Sequence, residues 1–250
     1  MNTISICGIK ISYMSVNDVL ALSDAWLSSG KKGLQITGVN LEQIALMSHD
    51  INFKQYIDSS DIVNIDGISV LWYIRSLGYQ LCERTLSADI FIKMLETANK
   101  LNQSVYLLGA EESTVRNLVK NIKEKYPEIN LVGYRNGFFK DEKEVVDDIA
   151  KLRPDYLFIG MPSPYKEYFI TTYKTQLNAG ICMGVGGMFD ILGGKASRAP
   201  KKVQKMGLEW IYRIFQNPKN HTKRVFKAVM PCFGMFFRNY RSDFKIRKQL

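Results

Sequence analysis

The feature that most constrains the fold of this chain is a regular alternation of short apolar runs with longer helical runs. Apolar runs of four to six residues, each ending at a glycine or a polar turn, alternate with amphipathic stretches of ten or more residues. The clearest units begin with runs at 105–108, 131–134, 156–159 and 181–185. Strands joined by helices require right-handed crossovers, so this order predicts an α/β, Rossmann-like, mainly parallel sheet covered by helices on both faces.

The N-terminal part shows the same alternation in a less regular form. A short strand or a hairpin is predicted around Gly8, and Ser15 and Ser87 are predicted to cap helices. The predicted elements are the strand or hairpin at 4–12, strands 33–39 and 62–65, helices 16–28, 41–47, 53–58, 68–77, 88–101, 113–126 and 142–152, and a helix that follows Pro164 and ends near residue 178.

Basic residues are concentrated at the C-terminal end. Residues 195–250 hold 15 of the 34 Lys and Arg residues but only two of the 24 Asp and Glu residues, Glu209 and Asp243. This segment has a net charge of +13, whereas residues 1–194 have a net charge of −3. The asymmetry predicts a body at 1–194 and a basic appendage at 195–250 that meets a polyanion, either nucleic acid or an anionic membrane surface.

The cysteines and histidines form no disulfide or zinc pattern. Cys7, Cys82, Cys182 and Cys232 are widely separated, and the chain has only two histidines. Cys7 and Cys182 lie in apolar runs, so we expect buried, unreactive thiols. The chain shows no secretory signal and no run of about 18 apolar residues, which favours a protein of the reducing cytoplasm.

Glycine-rich turns after the predicted strands are candidate binding sites, because a parallel sheet binds ligands at the carboxyl ends of its strands. The turn at 184–187 would let a phosphate approach free backbone amides, although a tight strand-to-helix turn explains the same glycines. The Gly-x-Gly-x-x-Gly fingerprint and the P-loop are both missing, which disfavours nicotinamide dehydrogenases and P-loop ATPases.

Asp66 is the candidate general base at the same edge, since its carboxylate follows an apolar strand. The alternative is structural, because Asp-Gly is a common turn and Asp caps helices well. Thr37 and Asn40 are candidate ligand contacts, and Asn40 would also cap the next helix.

We expect Arg84 and Asp89 to form a solvated charged surface. No Asp-x-Asp pair is present to hold a divalent cation, so a phosphate leaving group would need arginines or helix N-termini.

The appendage alternates cations with large apolar residues, from Lys223 and Arg224 to Phe237. This composition suits a segment lying among lipid headgroups, where each cation contributes about 1 kcal/mol to attachment. One alternative is a core-packing C-terminal helix, although Pro231 and Gly234 disfavour a single continuous helix. Another is base stacking on nucleic acid, which the acidic body disfavours.

Several short motifs follow one another from about residue 4 to about residue 225. They are Thr37-Gly38-Val39-Asn40, Asp66-Gly67, Glu83-Arg84 with Asp89, Leu107-Leu108-Gly109, Tyr126-Pro127, Gly133-Tyr134, Pro164 with Glu167, Gly184 to Asp190, Arg198-Ala199-Pro200 and Gly207 to Arg213. Together they resemble the WecG/TagA/CpsF family of glycosyltransferases, and the motifs after residue 184 are the most specific.

The resemblance implies an inverting, metal-independent enzyme that moves a sugar from a UDP-sugar to a polyprenyl-diphosphate-linked saccharide in cell-wall or surface polysaccharide synthesis. It implies no cofactor, and attachment to the inner face of the cell membrane through the appendage. Asp66 would be the catalytic base. The implied substrate contacts are Thr37, Asn40, Arg84, Gly109, Lys166, Glu167, Gly186, Gly187, Asp190, Arg213 and Arg224.

Lys166 departs from the family pattern, which often has glutamine at this position. An added cation would favour an anionic donor such as a uronic acid, or it would replace an arginine missing elsewhere; Asn220 stands where an arginine is common. N-acetylmannosamine, a uronic acid and a hexose are therefore the donors to consider.

The alternative function is a non-catalytic Rossmann module that binds a nucleotide-sugar or nucleic acid. Asp66, the glycine turn and Arg213 favour the enzyme. The expected partners are the UDP-sugar, the lipid-linked acceptor and an anionic membrane, without nucleic acid, and a homo-oligomer is compatible with the sequence.

Overall fold

A computed structural model describes residues 3–80, 84–216 and 218–247, with side chains left undescribed at 213, 219–221, 223–230 and 233. The strands are β1 (Thr3–Ile6), β2 (Ile9–Ser12), β3 (Leu34–Val39), β4 (Ile62–Ile65), β5 (Ser104–Gly109), β6 (Asn130–Arg135), β7 (Tyr156–Gly160) and β8 (Ile181–Gly184). The helices are α1 (Val16–Ser28), α2 (Leu41–Met47), α3 (Ile51–Asp58), α4 (Ile68–Ser76), α5 (Ser87–Leu101), α6 (Glu112–Lys125), α7 (Glu142–Leu152), α8 (Tyr165–Tyr173), α9 (Met188–Leu192), α10 (Lys201–Lys205), α11 (Glu209–Gln216) and α12 (Pro218–Arg247).

The centre of the fold is a six-stranded parallel sheet in the order β4-β3-β8-β7-β5-β6. Both faces are covered by helices, as the alternation along β5 shows: Tyr106 and Leu108 pack into one apolar cluster, and Val105 and Leu107 into the other. The predicted parallel, doubly covered sheet is therefore confirmed. Each βα connection places a loop at the carboxyl edge, where the motif residues follow their strands.

The hairpin β1-β2 is a separate antiparallel unit, so of the two forms predicted for residues 4–12 the hairpin is the one observed. Its isoleucines join the apolar cluster on one face of the main sheet. The Oγ atom of Ser12 accepts a hydrogen bond from the Val63 N–H at 3.0 Å, which attaches the hairpin to β4. The hairpin thus lies beside the strand that precedes Asp66.

Two predicted helix ends are wrong. Ser87 is the first residue of α5 rather than its cap, and its N–H donates to Asp66 Oδ1 at 2.8 Å, so a side chain distant in sequence provides the capping bond. Helix α8 ends at Tyr173 rather than near residue 178, because the N–H groups of Gln176 and Leu177 bond back to the Tyr173 carbonyl in a turn.

The prediction that Pro231 and Gly234 interrupt the C-terminal helix is also wrong, since α12 is continuous over both. Tertiary packing offsets the loss of the backbone hydrogen bond that proline cannot donate. Cys232 is fully buried and donates to the Leu41 carbonyl at 2.9 Å, and the Phe236 ring stacks on Tyr73 with 4.0 Å between centroids. Residues 231–247 thus form a core-packing helix. The division of the chain at residue 195 stays a prediction.

Cys182 is buried as expected from sequence, whereas Cys7 is only partly buried. Burial raises the pKa of Cys182 to about 12, and burial together with the nearby Asp243 carboxylate raises the pKa of Cys7 to about 12. These thiols are therefore protonated and weakly nucleophilic. Cys82 lies outside the described residues. Within the described ranges, no helix is long and apolar enough to span a membrane.

We expect Tyr73→Phe to lower the free energy of unfolding by about 1–3 kcal/mol. Asp243 is 3% exposed and accepts hydrogen bonds from Tyr73 Oη at 2.7 Å and Cys7 N–H at 3.0 Å, so the variant leaves a buried carboxylate short of a donor. Urea unfolding measures the change. Tyr240→Phe is the matched control, because its exposed hydroxyl bonds only the Ser76 carbonyl. Equal losses in both variants would contradict the role of Asp243.

Candidate functional site

Asp66 lies at the carboxyl edge of the sheet, directly after β4 and before α4. Its side chain is partly exposed, and Oδ1 accepts the Ser87 N–H at 2.8 Å. Among the described residues, no other donor contacts the carboxylate. One oxygen is therefore held by the first turn of α5, and the other accepts no hydrogen bond from the described residues.

The surroundings of Asp66 depend on a close approach between strands and helix. A Cβ at Gly38 would lie 2.9 Å from the Asp66 Cβ and would collide with the Ser87 hydroxyl, so only glycine fits there. Asn64 on β4 donates to the Thr85 carbonyl at 2.7 Å and to Ser87 Oγ at 3.2 Å. These contacts fix the loop before α5, and with it the N–H group that orients Asp66.

Sequence reasoning missed Asn64, although a signal was present. Asn64 is the one polar residue in the apolar run 62–65, and it is 1% exposed. A buried amide must be hydrogen-bonded, so a polar residue within a buried strand indicates a built contact at the strand end.

Thr37 lies on the neighbouring strand β3, and Asn40 directly follows that strand. Asn40 Oδ1 accepts the Glu42 N–H at 2.8 Å and forms a capping box with Gln43. The structural alternative for Asn40 is therefore observed, and its backbone also packs against Gly67 beside Asp66. Thr37 is 5% exposed and neighbours the buried Tyr56 hydroxyl.

A buried ionic cluster lies next to the end of β8. Lys166 Nζ is 2.5 Å from Glu167 Oε1 and also contacts Ser163 Oγ, and Ser163 Oγ donates to the same Glu167 oxygen at 2.7 Å. The Lys166 stem passes over Gly184, where a Cβ would lie 2.9 Å from Cε. Lys166 and Glu167 are 8% and 1% exposed, so the pair is desolvated and its net charge is zero.

Three buried polar atoms near this cluster lack a hydrogen-bond partner among the described residues. They are Glu167 Oε2, the Tyr56 hydroxyl and Gln35 Oε1. Burial, followed by the nearby Glu167 charge, raises the pKa of Tyr56, so its phenol stays protonated. Sequence reasoning missed the buried hydroxyl of Tyr56, because the sequence of a short helix does not indicate where a tyrosine hydroxyl lies in the fold.

Arg84 is not on a solvated surface, contrary to expectation. Its guanidinium donates to Glu209 Oε2 at 3.0 Å and to the Gln204 carbonyl at 3.3 Å. Arg198 donates to Asp89 Oδ1 at 2.6 Å and lies 3.8 Å from Glu209. These ion pairs connect the loop before α5 to α10 and α11, so Arg84 is placed between the body and the C-terminal helices.

The remaining predicted contacts belong to two turns and to α9, α11 and α12. Gly109 ends β5 beside Gly160 of β7, with a φ of +133°, and a Cβ there would lie 2.6 Å from the Gly160 carbonyl carbon. Gly186 and Gly187 form the turn between β8 and α9, and Asp190 is partly exposed on α9. Arg213 lies on α11 and Arg224 on α12, and both side chains fall outside the described ones.

No group of three or more His, Cys, Asp or Glu side chains suited to a metal ion occurs in the part of the chain that the structure describes. The described part of the edge carries Asp66, glycine turns and the buried Lys166–Glu167 ion pair. A parallel sheet with a partly exposed carboxylate and glycine turns at its carboxyl edge is typical of α/β enzymes that bind a nucleotide-linked substrate there.

Comparison with known proteins identifies the family. The model of the "Glycosyl transferase WecG/TagA/CpsF family" matches residues 4–245, and the chain belongs to this family of glycosyltransferases. The resemblance inferred from the motifs is thereby confirmed.

Curated relatives of this chain carry the name N-acetylglucosaminyldiphosphoundecaprenol N-acetyl-beta-D-mannosaminyltransferase. The chain is similar to the one from Bacillus subtilis (strain 168), with 32% identity over 188 residues, 75% of this chain and 73% of the relative. The relative from Bacillus spizizenii is 31% identical over 187 residues, with 75% and 73% covered. The relative from Staphylococcus aureus (strain MW2) is 29% identical over 167 residues, with 67% and 66% covered.

Proposed function

We propose that this glycosyltransferase moves one sugar from a UDP-sugar to an N-acetylglucosaminyl-diphospho-polyprenol, with inversion and without a metal ion. The names of the relatives support the lipid-linked acceptor and an N-acetylhexosamine donor. The observation that carries the proposal is the Asp66 carboxylate, which the Ser87 N–H holds at 2.8 Å while the side chain stays partly exposed at the sheet edge.

Asp66 would accept the proton of the acceptor hydroxyl as that oxygen attacks the anomeric carbon. A new C–O bond then forms, the bond between the anomeric carbon and the UDP oxygen breaks, and UDP leaves with that electron pair. A single displacement on the face opposite the leaving group inverts the anomeric configuration.

The leaving UDP carries negative charge that has to be balanced. Arg213 and Arg224 are the proposed cations for this role, and the backbone at Gly186 and Gly187, with Asp190, the proposed contacts of the nucleotide. Thr37, Asn40 and Gly109 complete the proposed binding edge. Arg84 would act by holding α10 and α11 against the body through Glu209.

The Lys166–Glu167 pair supports an uncharged donor sugar. The ammonium of Lys166 is 2.5 Å from a carboxylate that is itself buried, so no positive charge is left over for a uronic acid. An N-acetylhexosamine such as N-acetylmannosamine is therefore the favoured donor. The polyprenyl acceptor and the +13 appendage together support peripheral attachment at the inner face of the cell membrane.

A donor panel tests this function. The purified chain is incubated with polyprenyl-diphosphate-GlcNAc and UDP-N-acetylmannosamine, UDP-N-acetylglucosamine, UDP-glucose or UDP-glucuronic acid, each with and without EDTA. We expect UDP-N-acetylmannosamine to give the fastest transfer and EDTA to leave its rate unchanged. A clear preference for UDP-glucuronic acid, or loss of transfer in EDTA, would contradict the proposed donor or the proposed metal independence.

A further inference from the structure

An apolar groove lies between α4 and the second half of α12. Its volume is about 350 Å³, within the range of small-molecule sites. Tyr73 and Phe236 form part of the lining, and Trp72 and Phe237, 54% and 87% exposed, stand at its rim. None of the described residues that line it carries a charge. Large exposed aromatic side chains around one groove mark a binding surface rather than ordinary protein surface.

The polar ends of the lining tyrosines are bound within the protein. Tyr73 Oη donates to Asp243 at 2.7 Å, and Tyr240 Oη donates to the Ser76 carbonyl at 2.9 Å. These two tyrosines therefore line the groove with their ring carbons. Such a lining matches a hydrocarbon without hydrogen-bonding groups better than a peptide or a sugar, whose polar atoms would be left unpaired.

One end of the groove is next to the catalytic edge. Its lining includes Ser69, three residues after Asp66, and Leu41, which directly follows Asn40. The other end is at Ser76, seven residues further along α4, or about 10 Å at the rise of an α-helix. A hydrocarbon chain lying in the groove would therefore begin near Asp66 and extend away from it along α4.

We propose that this groove binds the first isoprene units of the polyprenyl chain of the acceptor. The inference rests on the proposed function for the acceptor's identity, since the relatives are named for an undecaprenol-linked substrate. The groove positions the acceptor by its hydrocarbon, so that the sugar attached through the diphosphate reaches Asp66.

Direct binding tests the proposal without requiring turnover. Isopentenyl, geranyl and farnesyl diphosphates are titrated calorimetrically into the full chain, in buffer free of detergent and vesicles. We expect the dissociation constant to fall at least about tenfold from the one-unit to the three-unit chain, because each added unit buries apolar surface. A dissociation constant that does not change with chain length would overturn the proposal.

Two variants place the binding site. Ser76→Phe fills the far end of the groove at an exposed position, so it is expected to weaken farnesyl diphosphate about tenfold and isopentenyl diphosphate less than twofold. Phe237→Ala removes an exposed rim side chain, with little risk to folding, and is expected to weaken farnesyl diphosphate several-fold. Ser242→Phe is the matched control, an exposed serine on α12 whose hydroxyl also bonds the carbonyl three residues earlier.

The outcomes separate the groove from the proposed function and from membrane attachment. Chain-length-dependent binding that Ser76→Phe abolishes, in a protein that transfers no sugar, would support the groove and contradict the proposed function. Sugar transfer by a protein whose binding of prenyl diphosphates does not depend on chain length would support the proposed function and contradict the groove. If both groove variants lower sedimentation with anionic vesicles but leave binding of soluble prenyl diphosphates unchanged, the aromatic rim contacts the bilayer and the proposal is wrong.

Discussion

Asp66→Asn is expected to lower kcat for sugar transfer by about 10²–10⁴-fold, the usual contribution of a positioned general base. Asparagine keeps an oxygen that can accept the Ser87 N–H, which Asp66 Oδ1 accepts at 2.8 Å, so the start of α5 stays in place. The amide cannot take a proton from the acceptor hydroxyl. Initial rates at saturating donor and acceptor measure the effect.

Controls separate lost basicity from lost structure. Asp66→Ala removes the hydrogen bond as well and is expected to cost about 1 kcal/mol of stability, the usual value for a lost cap, which Asp66→Asn should retain. Asp58→Asn changes an exposed carboxylate that pairs only with Lys54 and should leave kcat unaltered. Donor affinity should be similar in wild type and Asp66→Asn. If Asp66→Asn turns over at the wild-type rate, Asp66 has only the capping role.

Lys166→Met is expected to lower the free energy of unfolding by about 3–5 kcal/mol. The variant leaves Glu167, which is 1% exposed, without its cation, and Glu167 Oε2 already has no partner among the described residues. A buried, unpaired carboxylate is costly because it has lost its hydration. Chemical denaturation of wild type and variant measures the difference.

The paired variant Lys166→Met with Glu167→Gln should recover most of that stability, because it removes both charges together. Lys174→Met is the control for an exposed ion pair: Lys174 lies 3.0 Å from Asp61, and its loss should cost less than about 1 kcal/mol. If Lys166→Met is as mild as Lys174→Met, Lys166 is not needed to neutralise Glu167, and its charge becomes available to a donor sugar.

Local signals in the sequence predicted most of the fold. Ser15 caps α1 with its Oγ atom and Asp18 completes the capping box, so the helix begins where the polar residue indicates. Helix α7 runs from Glu142 to Leu152 as its periodicity predicts. These boundaries depend on residues within four positions of each other, and such contacts can be inferred without knowing the tertiary structure.

Contacts between distant residues account for the predictions that were wrong. The side chain that accepts the first N–H of α5 is that of Asp66, 21 residues before Ser87. Arg84 pairs with Glu209, 125 residues away, so its burial depends on how α11 packs. Pro231 is accommodated in α12 because neighbouring turns bury Cys232 and Phe236 against α2 and α4. Local propensity was overridden by packing in each of these places.

The candidate site was inferred only in part. The sequence placed Asp66 and Asn40 at the carboxyl edge, and the structure locates both there, with Asn40 engaged as a helix cap. Whether Lys166 is a free cation could not be read from sequence, because it depends on side-chain geometry: Glu167 balances its charge, and the Ser163 hydroxyl hydrogen-bonds both side chains. The apolar groove was missed altogether, since its lining comes from α2, α4 and α12.

The stereochemistry of the product shows whether the acceptor hydroxyl, deprotonated by Asp66, displaces UDP in one step. The transferred sugar is analysed by NMR on the product formed from polyprenyl-diphosphate-GlcNAc and an α-linked UDP-N-acetylmannosamine. A single displacement gives one added sugar in β linkage, formed by Asp66→Asn at least about 10²-fold more slowly than by wild type. An α-linked product would show retention and would contradict a single displacement with Asp66 as its base.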